Sequence, residues 1–169
     1  SVPLIFQPDR SFLIAEAQRA QGFFDPAIRS YQQVLKLLKS PSSDHTLWID
    51  SQLGLARSWR SLGLTKSARR ALREVRDVLR KGTSEQAEDL ALEEAMILRA
   101  EGNHPRALAR LNSLLRLHER RGDLSSAGYV LWAMAGARRF FLGGGASPAH
   151  AGSASARRRA VSAVLIAPV

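Results

Sequence analysis

The sequence predicts an all-α fold, a solenoid of stacked helical hairpins with three regular repeats and a divergent fourth. Three observations carry that prediction. Glycines recur at Gly22, Gly63, Gly102 and Gly143, at spacings of 41, 39 and 41 residues, and an internal period of this size marks a repeat array. Around the first three the neighbours recur as well: Ala15, Ala56 and Ala95 stand seven residues before, Ala27, Ala68 and Ala107 five after, and Tyr31, Leu72 and Leu111 nine after. Apolar residues keep helical spacing, and no stretch sustains the two-residue alternation of a half-buried strand.

Each repeat reads as two helices, and the expected helices span 9–21, 25–39, 44–62, 65–81, 84–101, 104–121, 124–142 and 148–165. After each glycine an apolar stripe runs at helical spacing: Ala27, Ile28, Tyr31, Val34, Leu35 and Leu38 in the first unit, Ala68, Ala71, Leu72, Val75 and Leu79 in the second, and Ala107, Leu108, Leu111, Leu114 and Leu115 in the third. Before the glycine, Leu55, Ala56, Trp59 and Leu62 form a similar face, as do Leu90, Ala91, Ala95 and Leu98. The glycines suit the left-handed residue that ends a helix. Asp25-Pro26 and His104-Pro105 offer a capping side chain or a first-turn proline, Thr65 a cap, and Thr83 with Gln86 a capping box. Short turns make the helices antiparallel neighbours, and stacking the hairpins buries one continuous core. Residues 1–8 are then an extension, 9–142 the repeats, and 143–169 a Gly-, Ala-, Ser- and Arg-rich last helix or tail.

With 169 residues, 45% of them hydrophobic, the chain can bury a core without disulfides or metals. Cysteine is absent, which excludes thiol catalysis and Cys-ligated zinc. No apolar run approaches the ~20 residues of a membrane span. Ser1–Arg10 lacks the basic start and apolar stretch of a secretory signal, so an intracellular setting is favoured while the compartment stays open. Lys and Arg exceed Asp and Glu by 25 to 15, a net charge of +10. Such an excess favours acidic partners, either carboxylate-rich proteins or phosphates, and arginine-rich codon usage is the competing explanation.

The recurring positions resemble the tetratricopeptide repeat (TPR) family: small at the eighth place, Gly at the fifteenth, Ala at the twentieth and large at the twenty-fourth. Here they are Ala15/Gly22/Ala27/Tyr31, Ala56/Gly63/Ala68/Leu72 and Ala95/Gly102/Ala107/Leu111. The period is longer than the family's usual one of about 34, and the aromatic residue early in the first helix is missing. The resemblance implies a right-handed superhelix whose groove, lined by the first helix of each pair, binds a peptide or a partner helix. Carried over position by position, it puts Asp9, Phe12, Glu16 and Arg19 in that groove, then Asp50, Leu53, Arg57 and Arg60, then Asp89, Leu92, Met96 and Arg99.

Arg19, Arg60 and Arg99 recur at one position and would form a row along the groove. Guanidinium groups pair bidentately with carboxylates, so the row suits an acidic or amphipathic segment, with Phe12, Leu53, Leu92 and Met96 as apolar contacts and Arg57 beside them. The competing reading has these arginines paired with nearby Asp and Glu of the chain itself. Glu16, Arg57 and Met96 occupy the place where TPR domains that clamp chaperone termini carry Asn, which argues against that sub-family.

A second basic surface, Arg69, Arg70, Arg73, Arg76 and Arg80, lies opposite the apolar stripe of its helix and could meet nucleic-acid phosphates; a solvated outer face is the alternative. Trp48 and Trp132 fall on first helices, as groove anchors or as packing residues. Val2, Leu4, Ile5, Phe6, Phe23 and Phe24 at one end, and Val161, Val164, Leu165 and Ile166 at the other, offer apolar edges for self-association or for docking within a larger chain.

No enzyme motif is present. His45, His104, His118 and His150 never pair at four-residue spacing, no nucleophile elbow or phosphate loop occurs, and Gly143–Gly145 fails the dinucleotide fingerprint. The sequence therefore points to a non-catalytic interaction scaffold that needs no cofactor and is part of a larger protein or complex. A nucleic-acid-binding helical repeat and a purely structural docking segment are the alternatives.

Overall fold

The computed structural model describes residues 7–79 and 84–141. These residues form seven α-helices and no strand: α1 Gln7–Ala20, α2 Phe24–Leu38, α3 His45–Ser61, α4 Thr65–Val78, α5 Ser84–Ala100, α6 His104–Arg121 and α7 Leu124–Phe141. Each expected helix through 124–142 is present with its ends moved by three residues at most. The expected helix at 148–165 and the apolar residues of both chain ends, Val2 to Phe6 and Val161 to Ile166, lie outside the described residues.

The glycine turns have one geometry. Gly22, Gly63 and Gly102 have φ of 84°, 75° and 79°, values that cost a side chain but not glycine. At each, the glycine N–H and the following N–H return to carbonyls of the last helical turn. Gly63 donates to Arg60 at 3.0 Å and Leu64 to Trp59 at 2.8 Å, with matching pairs at Gly22 and Gly102. This is a Schellman termination, which satisfies carbonyls the helix leaves orphaned. Gly122, outside the sequence period, closes α6 in the same way at φ 67°.

Pro26 and Pro105 stand in the first turns of α2 and α6 as expected, whereas the expected capping side chains do not cap. Thr65 is the first residue of α4, and Leu64 occupies its cap position without a side-chain hydrogen bond. Gly63 O accepts from Thr65 N at 2.9 Å, and Gly22 O from Phe24 N at 3.0 Å. In so tight a turn the backbone of the glycine does the work of a capping side chain. Asp25 lies within α2, past its Phe23 cap, and Thr83 of the expected capping box lies outside the described residues. Side chains cap two other helices: Asp44 Oδ1 accepts from Leu47 N at 2.9 Å, and Asp123 Oδ1 from Ser126 N at 3.1 Å, the latter beside a glycine turn in which Gly122 O also accepts from Leu124 N at 3.0 Å.

Helices adjacent in sequence pack on one another, and α1, α3, α5 and α7 also touch in succession. The α3 helix is buried on nearly every side, because α1, α2, α4 and α5 surround it. There Gly54 lets the Tyr31 ring of α2 cross the backbone, since a Cβ on Gly54 would stand 2.3 Å from Tyr31 Cζ. The core falls into two clusters. One runs from α1 to α5 through Tyr31, Ile49, Leu53, Leu72, Val75 and Ile97; the other joins α5 to α7 through Leu92, Met96, Leu111, Val130 and Met134. No helix among the described residues is long and apolar enough to cross a membrane.

Candidate partner-binding face of the first helices

The arginine row of the first helices is present, but its members have different fates. Arg19 is buried; its Nη2 donates to Glu16 Oε2 at 2.7 Å and its Nε to Tyr31 Oη at 3.2 Å. The Tyr31 hydroxyl also donates to Glu16. Burial pushes the Glu16 carboxyl up, yet the Arg19 hydrogen bond and charge, with help from Tyr31 and Arg57, hold it below its ordinary range. The Tyr31 hydroxyl is pushed up, by burial first and by the Glu16 charge second.

Arg57 and Arg60 on α3 converge on α5. Glu93 Oε1 accepts from Arg57 Nε at 2.8 Å, and Glu93 Oε2 from Arg60 Nε at 3.3 Å. Asp89 Oδ2 lies 3.4 Å from Arg57 Nη2. Burial disfavours the charged form of both Arg57 and Glu93, but mutual attraction overrides it. Arg57 is raised by Glu93 and Asp89, and Glu93 is lowered by Arg60 and Arg57. Asp89 goes the other way: burial, with Glu93 beside it, outweighs Arg57 and raises its carboxyl. Three guanidiniums and three carboxylates thus form a neutral, desolvated network within the stack of first helices.

Arg99 has a different environment. Its Nη1 donates to Ala133 O at 3.4 Å, and its Cζ lies 5.9 Å from the centroid of the Trp132 ring. Trp132 in turn stacks on Tyr129 at 5.5 Å and 28°. No carboxylate among the described residues is within ion-pair distance of Arg99. Burial, and then the charge of Arg60, hold its pKa below the ordinary arginine value.

The apolar residues expected in the groove are core residues. Phe12, Leu53, Leu92 and Met96 are all buried, Phe12 edge-on to Tyr31 at 6.0 Å and Leu92 and Met96 in the α5–α7 cluster. Trp48 is buried as well, whereas Trp132 is 36% exposed. Arg57 is enclosed with them, and only Arg60 and Arg99 of the row keep part of their surface. The sequence reading missed Glu93 as the hub of the network. The signal was there: α5 carries Asp89 and Glu93 four residues apart, on the face that presents Met96 and Arg99.

On the outer surface, Arg69 pairs with Glu101, and Arg76 and Arg110 share Glu94, so these cations bridge α4, α5 and α6. Arg70 and Arg73 are exposed with no carboxylate at ion-pair distance among the described residues, and Arg80 lies outside them. Apolar surface remains at both described ends: Leu13, Ile14 and Phe23 around α1, and Leu124, Leu131 and Trp132 on α7. Among the described residues no three His, Asp or Glu side chains gather as a metal site. No protein-family model matches the chain, and no curated protein or solved structure is significantly similar to it.

Proposed function

We propose that this chain is a non-catalytic interaction module, a TPR-like stack of helical hairpins that binds an acidic or amphipathic segment of a partner protein on the face of its first helices. Recurrent Schellman turns at one period and the successive contacts of α1, α3, α5 and α7 support the repeat reading. The observation that carries the function is Arg99, half-buried over the Trp132 ring with no carboxylate among the described residues at ion-pair distance, Glu93 acting on it only from further off. A cation, exposed aromatic surface and neighbouring apolar residues are what an amphipathic acidic segment requires.

Charge reversal at Arg19 or Arg60 would disrupt buried ion pairs, so Arg99→Glu is the informative variant. In affinity capture from host lysate, a partner should be retained by the wild-type chain and lost from Arg99→Glu at unchanged helicity. Equal recovery from both would remove this face from consideration. The nucleic-acid reading keeps one supporting observation, the exposed Arg70 and Arg73 on α4. It requires binding that falls steeply with salt and weakens in an Arg70→Gln/Arg73→Gln double variant.

A further inference from the structure

We infer that Arg99, Trp132 and Gly136 build a receptor for one carboxylate side chain of a partner peptide, an Asp or Glu flanked by a large apolar residue. The inference rests on the interaction reading above and names the chemistry of its site.

The site arises where the ion-pair scheme of the first helices is interrupted. Arg60 of α3 reaches across to Glu93 of α5, 33 positions further along the chain. Arg99 of α5 reaches across to α7 in the same way, 34 positions on, but meets the carbonyl of Ala133 and the ring of Trp132. A guanidinium has five N–H donors, and that long hydrogen bond leaves most of them available. Partial burial weakens the hydration that would otherwise compensate, and Arg60 adds repulsion. Both are relieved by an anion.

The rest of the chain cannot provide that anion from a side chain. All 15 Asp and Glu residues lie between Asp9 and Asp123, within the described residues, and none pairs with Arg99. Residues 142–169 contain no Asp or Glu and add Arg157, Arg158 and Arg159. We therefore assign the carboxylate to a partner segment. A single negative charge suits the site better than a phosphate dianion, because the neighbouring guanidinium, Arg60, is already bound to Glu93.

Two features shape the receptor. Gly136 leaves room for the guanidinium against α7: a Cβ there would stand 2.5 Å from Arg99 Nη1. Trp132 and Leu131, 36% and 51% exposed, supply the apolar floor beside it. The ligand is therefore acidic at one position and apolar at a neighbouring one.

The test is selection from an unphosphorylated random 12-residue peptide library, using the full chain and its Arg99→Gln variant, with circular dichroism to verify folding. Wild type should enrich peptides with Asp or Glu next to Leu, Phe or Trp, and Arg99→Gln should lose the acidic preference. A selected peptide should bind Arg99→Gln at least about tenfold more weakly, the size of a charge-assisted hydrogen bond. Replacing its acidic residue by the amide should weaken binding to wild type and leave binding to Arg99→Gln unchanged, which is the coupling a double-mutant cycle detects. Gly136→Ala keeps the charge, displaces the guanidinium and favours the helix, so it should weaken the peptide without loss of stability. It also preserves the test if Arg99→Gln does not fold.

Selected peptides without an acidic preference, or with no coupling to Arg99, would overturn the receptor and leave the interaction reading in place. No enrichment over background by the wild-type chain would overturn both.

Discussion

The α1–α3–α5 face and the α5–α7 face share their helix type, their turns and an arginine at the end of each first helix through Arg99, yet they use that arginine differently. In the first, Arg19, Arg57 and Arg60 are neutralised inside the protein by Glu16, Asp89 and Glu93. In the second, Arg99 faces an aromatic ring and a carbonyl. The difference comes from α7, which carries Trp132 and Ala133 in the region where α5 carries Glu93. The same basic position is thus a structural element where a carboxylate answers it and, where none does, is left with the role proposed above. Arginine periodicity alone therefore does not locate a groove; the residue on the next helix decides.

The contrast is sharpest at Glu93. Glu93→Gln leaves Arg57 and Arg60 facing a neutral group in a desolvated setting, and breaking a buried pair costs about 3–5 kcal/mol. Chemical denaturation should register a loss of that order, against a loss of under about 1 kcal/mol for Arg99→Gln, whose side chain has no carboxylate to abandon. Equal losses would mean that the two faces are not energetically distinct.

Packing around the first face gives the next effect. Gly54→Ala should destabilise by about 1–3 kcal/mol, the usual cost of overpacking, because Tyr31 and its hydrogen bonds to Glu16 and Arg19 must move. Gly128→Ala on α7, where an added Cβ meets nothing within 4 Å, should instead stabilise by up to about 1 kcal/mol. A thermal melt of each variant tests the opposite signs.

Acid separates the faces through linkage. Glu16 and Glu93 have folded-state pKa values below their ordinary 4.5, so their contribution is complete above pH 4.5 and is lost as pH falls through the lowered values. Asp89 is raised above its ordinary 3.8. Its contribution is present below that value and lost as pH rises through the raised one, which partly offsets the other two. Stability measured by denaturation should fall as pH drops below about 4.5, and Glu93→Gln should flatten the fall.

The smallest effect is expected at Asp89 itself. Its carboxylate is held against its burial preference and only 3.4 Å from Arg57 Nη2, so Asp89→Asn should change stability at neutral pH by less than about 1 kcal/mol. A loss as large as that of Glu93→Gln would show that the network shares its charge evenly and has no hub.

The helices, their order and most of their ends were legible in the sequence because they follow from local rules. An apolar stripe at helical spacing, such as Ala27, Tyr31, Val34 and Leu38, requires a helix wherever it is buried, and a glycine after such a stripe supplies the left-handed stop. Caps were less legible. The tight turn before Thr65 places Leu64 at the cap position, a matter of one residue that turn geometry decides.

By itself the sequence determined the all-α class, the hairpin turns and the recurrence of Arg19, Arg60 and Arg99, because short-range periodicity and backbone conformation set these features. Only the tertiary structure decided which arginines are buried and paired, that Phe12, Leu53, Leu92 and Met96 belong to the core, and that Arg99 meets Trp132. Those outcomes depend on the distance and facing of residues more than thirty positions apart, as between Arg60 and Glu93. Charge pairing across helices falls off within a few ångströms, and a one-dimensional pattern does not specify that spacing.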